Sequence, residues 1–318
     1  MNRALSLVFA GLVFAAAAGP VAAGPDGLDP AKLRLASANV VVYDTAAGRR
    51  LYSKAPDEVT PIASLTKLMT AMVVLDAGQP MDEMLAIDPD DFDFLKGSRS
   101  RLRMGTTLSR REMLRLALMS SENRAASSLA RHYPGGMTAA VAAMNRKAIA
   151  LGMTRTHYSD PTGLSADNVS SANDLATLVQ AAAKYPAIRD FSTTPAHYVE
   201  LRPAGHLLGF NNSNALVKNH AWDIQLQKTG YIREAGKCLV MLANIASRPL
   251  VIVLLDSSGK YTRLGDAQRI KHWVETGEGL AVPGAGAGSR YNGTFAPRGK
   301  HAVKVAAPTA KSQSARRV

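Results

Sequence analysis

The chain has 318 residues, 47% of them hydrophobic and 20% charged, a balance that excludes a disordered chain and leaves room for one large domain or two small ones. Its only cysteine, Cys238, excludes an internal disulfide and reads as a small buried hydrophobe in a strand. The net charge of +13 is concentrated at one end, since residues 281–318 hold seven Lys or Arg and no Asp or Glu.

In chain order, Arg3 precedes the apolar run Ala4–Ala18, then Pro20 and the small residues Val21, Ala22 and Ala23. This is the layout of a secretory signal peptide cut after Ala23, which places the mature protein in the periplasm. An apolar run of about 15 residues is short of the ~20 that a spanning helix needs. Residues 24–37 are an N-terminal segment. Ala38–Tyr43 and Arg49–Lys54 flank a turn and predict a hairpin. Leu65, Leu68, Met69, Met72 and Val73 recur at helical spacing from Ser64 to Gly78. Ser109 with Glu112 forms a capping box that opens a second helix. Further helices are predicted over 124–133, 138–151 and 171–185, then strands over 223–227, 238–245 and 250–255, and a last helix over 264–275. The fold class is α+β: the hairpin and the later strands join as one antiparallel five-stranded sheet covered by helices, with a helical subdomain inserted between them. The folded domain is expected over 38–277. Residues 278–318 follow as a basic, disordered tail whose partner is an anionic envelope surface rather than nucleic acid.

Three short motifs carry chemistry. Ser64-Leu65-Thr66-Lys67 puts a hydroxyl and an amine on one face of a helix start, within reach of each other. A serine is a weak nucleophile until a base takes its proton, and a lysine serves once burial and a nearby cation depress its pKa. Ser121-Glu122-Asn123 lies on a connection between helices. Ser121 can relay a proton to a leaving amine, and Asn123 can hold a substrate carbonyl or Lys67. Lys228-Thr229-Gly230 falls at a strand end. Lys228 can bind a carboxylate or bias Lys67 toward its neutral form, and Gly230 lets a substrate backbone approach. The N–H groups of Ser64 and Tyr231 can form an oxyanion hole. Competing matches exist: Ser257–Lys260 repeats the first spacing in a turn, while Ser37–Asn39 and Ser171–Asn173 repeat the second. Ser171 reads as an N-cap. Seven scattered histidines, His132 and His157 among them, show no metal-ligand spacing, and acyl transfer to serine needs no cofactor.

These runs, with Asp160-Pro161-Thr162-Gly163-Leu164, resemble the low-molecular-mass penicillin-binding proteins, the serine D-alanyl-D-alanine peptidases. The resemblance covers about Asn39 to Gly277, and over Ser121–Gly136 and Trp222–Met241 it is greatest to the DD-endopeptidase branch. It implies a β-lactamase/transpeptidase-like fold. By it, Ser64 is the acylated nucleophile, Lys67 its base, Ser121 the proton relay, and Lys228 the substrate anchor beside Thr229, Gly230 and Tyr231. It further implies peptidoglycan as substrate and β-lactam antibiotics as inhibitors. The main alternative is a carboxypeptidase that trims pentapeptides. A class A β-lactamase would need a deacylating glutamate after the second motif, and none occurs between Glu122 and Glu200. A non-catalytic relative would have lost a motif residue, and a biosynthetic transpeptidase would carry extra domains.

Overall fold

A computed structural model describes residues 27–203, 205–259 and 262–282. The signal peptide, most of the basic tail and Lys260 lie outside the described residues. In chain order the strands are β1 (Asn39–Asp44), β2 (Arg49–Lys54), β3 (Thr60–Pro61), β4 (Met84–Ala86), β5 (Thr107–Ser109), β6 (Val169–Ser170), β7 (Ala196–Leu201), β8 (His206–Asn211), β9 (Asp223–Ile232), β10 (Gly236–Ile245) and β11 (Arg248–Ser257). The helices are α1 (Lys67–Asp76), α2 (Arg110–Met119), α3 (Asn123–Arg131), α4 (Gly136–Ala150), α5 (Ala172–Ala182), α6 (Pro186–Thr193) and α7 (Thr262–Thr276).

The hairpin and the C-terminal meander form a five-stranded antiparallel sheet in the order β2-β1-β11-β10-β9. Side chains alternate across it because successive residues of a strand point to opposite faces. Val41, Val240, Val251 and Val253 face the core shared with α1, α2 and α5. Val40, Val42, Leu239, Ile252 and Leu254 face a second core under α7. Both faces are therefore dry, which is why these strands read as continuous apolar runs. Leu28, Leu33 and Leu35 also pack in the second core, and Trp273 of α7 donates its indole N–H to the carbonyl of Asp29 at 3.0 Å. The N-terminal segment is thus part of the folded body.

The structure departs from the sequence reading in four places. Ser64 does not begin an α-helix; it sits in a 3₁₀ turn, Ala63–Thr66, that feeds α1. Ser109 does cap α2, accepting from the Glu112 N–H at 3.2 Å, but the Glu112 carboxylate turns away to His197 at 2.7 Å. The region after α5 holds a further short helix, α6, and the β7–β8 hairpin. Pro186 starts α6 and holds Tyr185 extended, so the helical pattern breaks there. β9 runs on to Ile232, so Lys228-Thr229-Gly230 lies inside the strand rather than at its end. Cys238 is buried in β10, where burial pushes its thiol up to about 12. His157 is exposed, and His132 contacts the Ser128 carbonyl at 2.8 Å. Among the described residues no helix is long and apolar enough to cross a membrane.

Candidate active site

The site lies where the 3₁₀ turn before α1, the α2–α3 connection and β9 converge. Lys67 Nζ donates to three oxygens: Ser64 Oγ at 2.8 Å, Asn123 Oδ1 at 2.7 Å and the Thr162 carbonyl at 2.6 Å. Lys67 is almost fully buried, and burial brings its ammonium down to about 7 against the opposing fields of Asp160, Glu122 and Asp93. Burial therefore does alone what the sequence reading assigned to burial and a neighbouring cation together.

Lys228, also fully buried, donates to Ser121 Oγ at 2.8 Å and to the Thr229 carbonyl at 2.9 Å. Burial, then the charges of Lys67 and Arg263, push its ammonium well below the usual lysine range. A cleft of about 470 Å³ opens beside these groups, and Ser64, Ser121, Asn123, Thr229, Gly230 and Tyr231 all line it. Lys67 and Lys228 do not; they touch the serines from behind. The cations that do reach the cleft wall are Lys96, Arg233 and Arg263. Arg263, in the first turn of α7, donates to the carbonyls of Gly230 at 2.8 Å and Cys238 at 3.2 Å. It sits 35 positions after Lys228 and carries no local motif, so no spacing could have pointed to it.

Two residues of the site hold strained backbone. Ala63 and Ser121 adopt left-handed φ of +49° and +63°, conformations that cost a non-glycine residue about 1–2 kcal/mol each. Gly230, which lines the cleft, also has a close neighbour within the fold. A Cβ on it would lie 3.0 Å from the Ile62 carbonyl and 3.1 Å from Ser64 N, so glycine lets the nucleophile turn press against β9. Gly163, at φ +82°, is tighter still, since a Cβ there would come within 2.0 Å of the Ala63 carbonyl oxygen.

The stretch around Asp160 has a role that its sequence does not announce. Asp160 Oδ1 accepts from the N–H groups of Thr162 and Gly163 and from Thr162 Oγ1, and Oδ2 accepts from the Ser165 N–H. Asn168 ties this loop to the nucleophile turn, donating to Thr66 Oγ1 at 3.0 Å and to the Asp160 carbonyl at 2.9 Å. The result aims the Thr162 carbonyl at Lys67. Ser98 likewise accepts from Asn123 Nδ2 at 2.9 Å and fixes the asparagine's orientation.

The competing motif matches resolve together. Ser257 is buried and shares a 2.5 Å hydrogen bond with Ser37, whose hydroxyl donates to the buried carboxylate of Asp266 at 2.6 Å. Ser171 accepts from the Asp174 N–H at 3.1 Å and caps α5. None of the three lines the cleft.

The profile of the D-alanyl-D-alanine carboxypeptidase family matches residues 27–259. The chain belongs to that family. This peptidase is 51% identical over 286 residues to a D-alanyl-D-alanine endopeptidase of Pseudomonas aeruginosa, covering 89% of this chain and 92% of that protein. A D-alanyl-D-alanine endopeptidase of Escherichia coli is 49% identical over 251 residues, 79% of this chain and 81% of that one. Among solved structures, a Streptomyces DD-transpeptidase superposes with a TM-score of 0.71 at 26% identity, covering 76% of this chain and 98% of the other. The fold is therefore the β-lactamase/transpeptidase-like α+β fold, and the chain is a low-molecular-mass penicillin-binding serine peptidase. Among the described residues no group of three or more His, Cys, Asp or Glu is placed to hold a metal ion.

Proposed function

We propose that this peptidase is a serine D-alanyl-D-alanine endopeptidase that hydrolyses peptidoglycan cross-links through an acyl-enzyme on Ser64. The observation that carries the chemistry is the 2.8 Å contact of a buried lysine with a cleft-facing serine. The cross-link as substrate rests on the likeness, over most of the chain, to peptidases named as endopeptidases.

With Lys67 neutral, Ser64 Oγ–H donates to Nζ, while two Lys67 N–H groups keep Asn123 Oδ1 and the Thr162 carbonyl as partners. Loss of the ammonium proton thus leaves no orphaned acceptor and no freed side chain. Ser64 Oγ attacks the D-alanyl carbonyl carbon as its proton passes to Lys67. The oxyanion forms against the N–H groups of Ser64 and Tyr231, a reading supported by the close approach of Gly230 to Ser64 N and by β9 being the sheet's edge strand. The C–N bond then breaks, and Ser121 relays the proton taken up by Lys67 to the leaving amine, regaining its own. Lys228 acts on this step from behind, by holding Ser121. Water cleaves the acyl ester, returns the proton to Ser64 and frees a terminal carboxylate. Thr229 and Arg263 supply the polar wall that meets the carboxylate beside the leaving amine. Penicillin enters at the first step, its lactam amide opening to a penicilloyl ester on Ser64. The ester is expected to be long-lived, because no glutamate lies between Glu122 and Glu200 to activate water.

The folded domain takes in 38–277 together with the segment before it. Cleavage of the leader after Ala23 delivers it to the periplasm. The seven cations of 281–318 support a salt-sensitive contact of the tail with an anionic envelope surface.

A digest of purified sacculi tests the substrate. Cross-linked muropeptide dimers should fall to monomers, with little free D-alanine released from pentapeptides. Rapid release of D-alanine with the dimers untouched would make the protein a carboxypeptidase, the activity for which the family is named.

A further inference from the structure

One ion pair lies at the edge of the cleft. Lys96, on the loop that follows β4, reaches Glu234 Oε1 at 2.5 Å, and Glu234 occupies the turn between β9 and β10. The pair therefore joins a loop of the helical half of the domain to the sheet half beside the cleft. Lys96 itself lines the cleft that holds Ser64. Its backbone is held in place, since Asp93 Oδ1 accepts from the N–H groups of Leu95 and Lys96, and Oδ2 from that of Ser98. Ser98 in turn fixes Asn123, so a single short loop sets Lys96 relative to the reacting groups. The side chains of the pair remain 32% and 41% exposed. Exposed pairs of this kind add little to stability, so the fold loses almost nothing when this one opens.

We infer that Lys96 is a specificity-determining residue that binds a second carboxylate on the leaving peptide of a cross-link, and that Glu234 occupies Lys96 until that peptide arrives. The inference rests on the endopeptidase reading and refines it. A leaving D-alanine carries one carboxylate, which Thr229 and Arg263 can meet. The leaving stem peptide of a cross-link carries more, on its D-glutamate and at its own terminus. Lys96, a cation of the cleft wall besides Arg263 and Arg233, discriminates between the two leaving groups. The competitor Glu234 keeps that cation neutralised while the cleft is empty.

The experiment compares wild type, Lys96→Gln, Glu234→Gln and Lys96→Arg on a purified cross-linked muropeptide dimer. Each dimer rate is divided by the same variant's rate of penicillin acylation, which involves no leaving peptide and corrects for any damage to the site. At low salt Lys96→Gln should raise KM for the dimer about five- to tenfold with a small change in kcat, an effect that fades as salt screens the contact. Glu234→Gln should act in the opposite direction and lower KM about two- to threefold, because it removes a competing carboxylate. Lys96→Arg should restore the wild-type ratio. Both variants break the same bridge, so a purely structural strap would move the two ratios the same way; that result, or no movement in either, overturns the inference. A wild-type protein that is acylated by penicillin but leaves the dimer intact would instead overturn the endopeptidase reading, and this inference with it.

Discussion

Lys67→Ala is expected to slow acylation by penicillin about 10²–10⁴-fold, the usual worth of general-base help. The size follows from the geometry. Ser64 has Lys67 Nζ at 2.8 Å, and Nζ is itself steered by Asn123 and the Thr162 carbonyl, so the base is already placed for proton transfer. Its protonation gives the expectation a second dimension. Burial brings the Lys67 ammonium down to about 7, and only the neutral amine can take the Ser64 proton. The acylation rate of the wild-type protein should therefore rise with pH through about 7 and level off above it. An unburied lysine, titrating near its ordinary value, would keep the rate climbing through pH 10. In Lys67→Ala the inflection near 7 should vanish along with the rate. Stopped-flow or quenched acylation with a fluorescent penicillin across pH 5.5–9.5 measures both. Equal rates in the variant and wild type would remove Lys67 from the role of base.

Gly163→Ala should be nearly as damaging, although Gly163 touches no substrate. The new Cβ would fall 2.0 Å from the Ala63 carbonyl oxygen and 2.9 Å from Ser64 N, both backbone atoms that cannot swing aside. The Asp160–Ser165 loop must retreat from the nucleophile turn, and with it goes the Thr162 carbonyl that accepts from Lys67. Overpacking and a left-handed alanine together are expected to cost about 2–4 kcal/mol, or roughly 4–16 °C in Tm for a body of this size. Acylation should fall by more than the lost stability explains. Gly152→Ala is the matched control: Gly152 has φ of +74° but no atom within 4 Å of its added Cβ, so it bears the conformational cost alone. Calorimetry and acylation rates for the two variants separate the terms. If Gly163→Ala matched Gly152→Ala in both, the loop would have no part in setting Lys67.

Much of this site could be read from the residues, and the part that could not has a common physical cause. Ser64, Lys67, Ser121 and Asn123 come from short motifs because helix starts and helix connections place side chains at fixed offsets. The structure brings all four together at hydrogen-bond distances around Lys67 and Lys228. The contacts that escaped are made by backbone groups or across long separations. The Thr162 carbonyl is available in any residue type, Arg263 reaches the cleft from another element, and Ser98 acts from an irregular loop. Lys228 was placed in the right site but in contact with a different partner. A motif gives a side chain's address and not its depth, and full burial turns Lys228 toward Ser121 instead of the open cleft. In the fold, the central strands β1, β10 and β11 of the large sheet were legible because both their faces are apolar. The β7–β8 hairpin was not, since Tyr198 and Leu207 are large apolar residues at exposed positions and blur the apolar/polar alternation that marks a half-buried strand.

Peptide-level mass spectrometry after reaction with penicillin tests the assignment of the nucleophile most directly. Wild-type protein should gain one penicilloyl group on the peptide that contains Ser64, and Ser64→Ala should gain none. An adduct that persists in Ser64→Ala and disappears in Ser257→Ala would move the chemistry to a serine that this structure buries against Ser37, and would contradict the account.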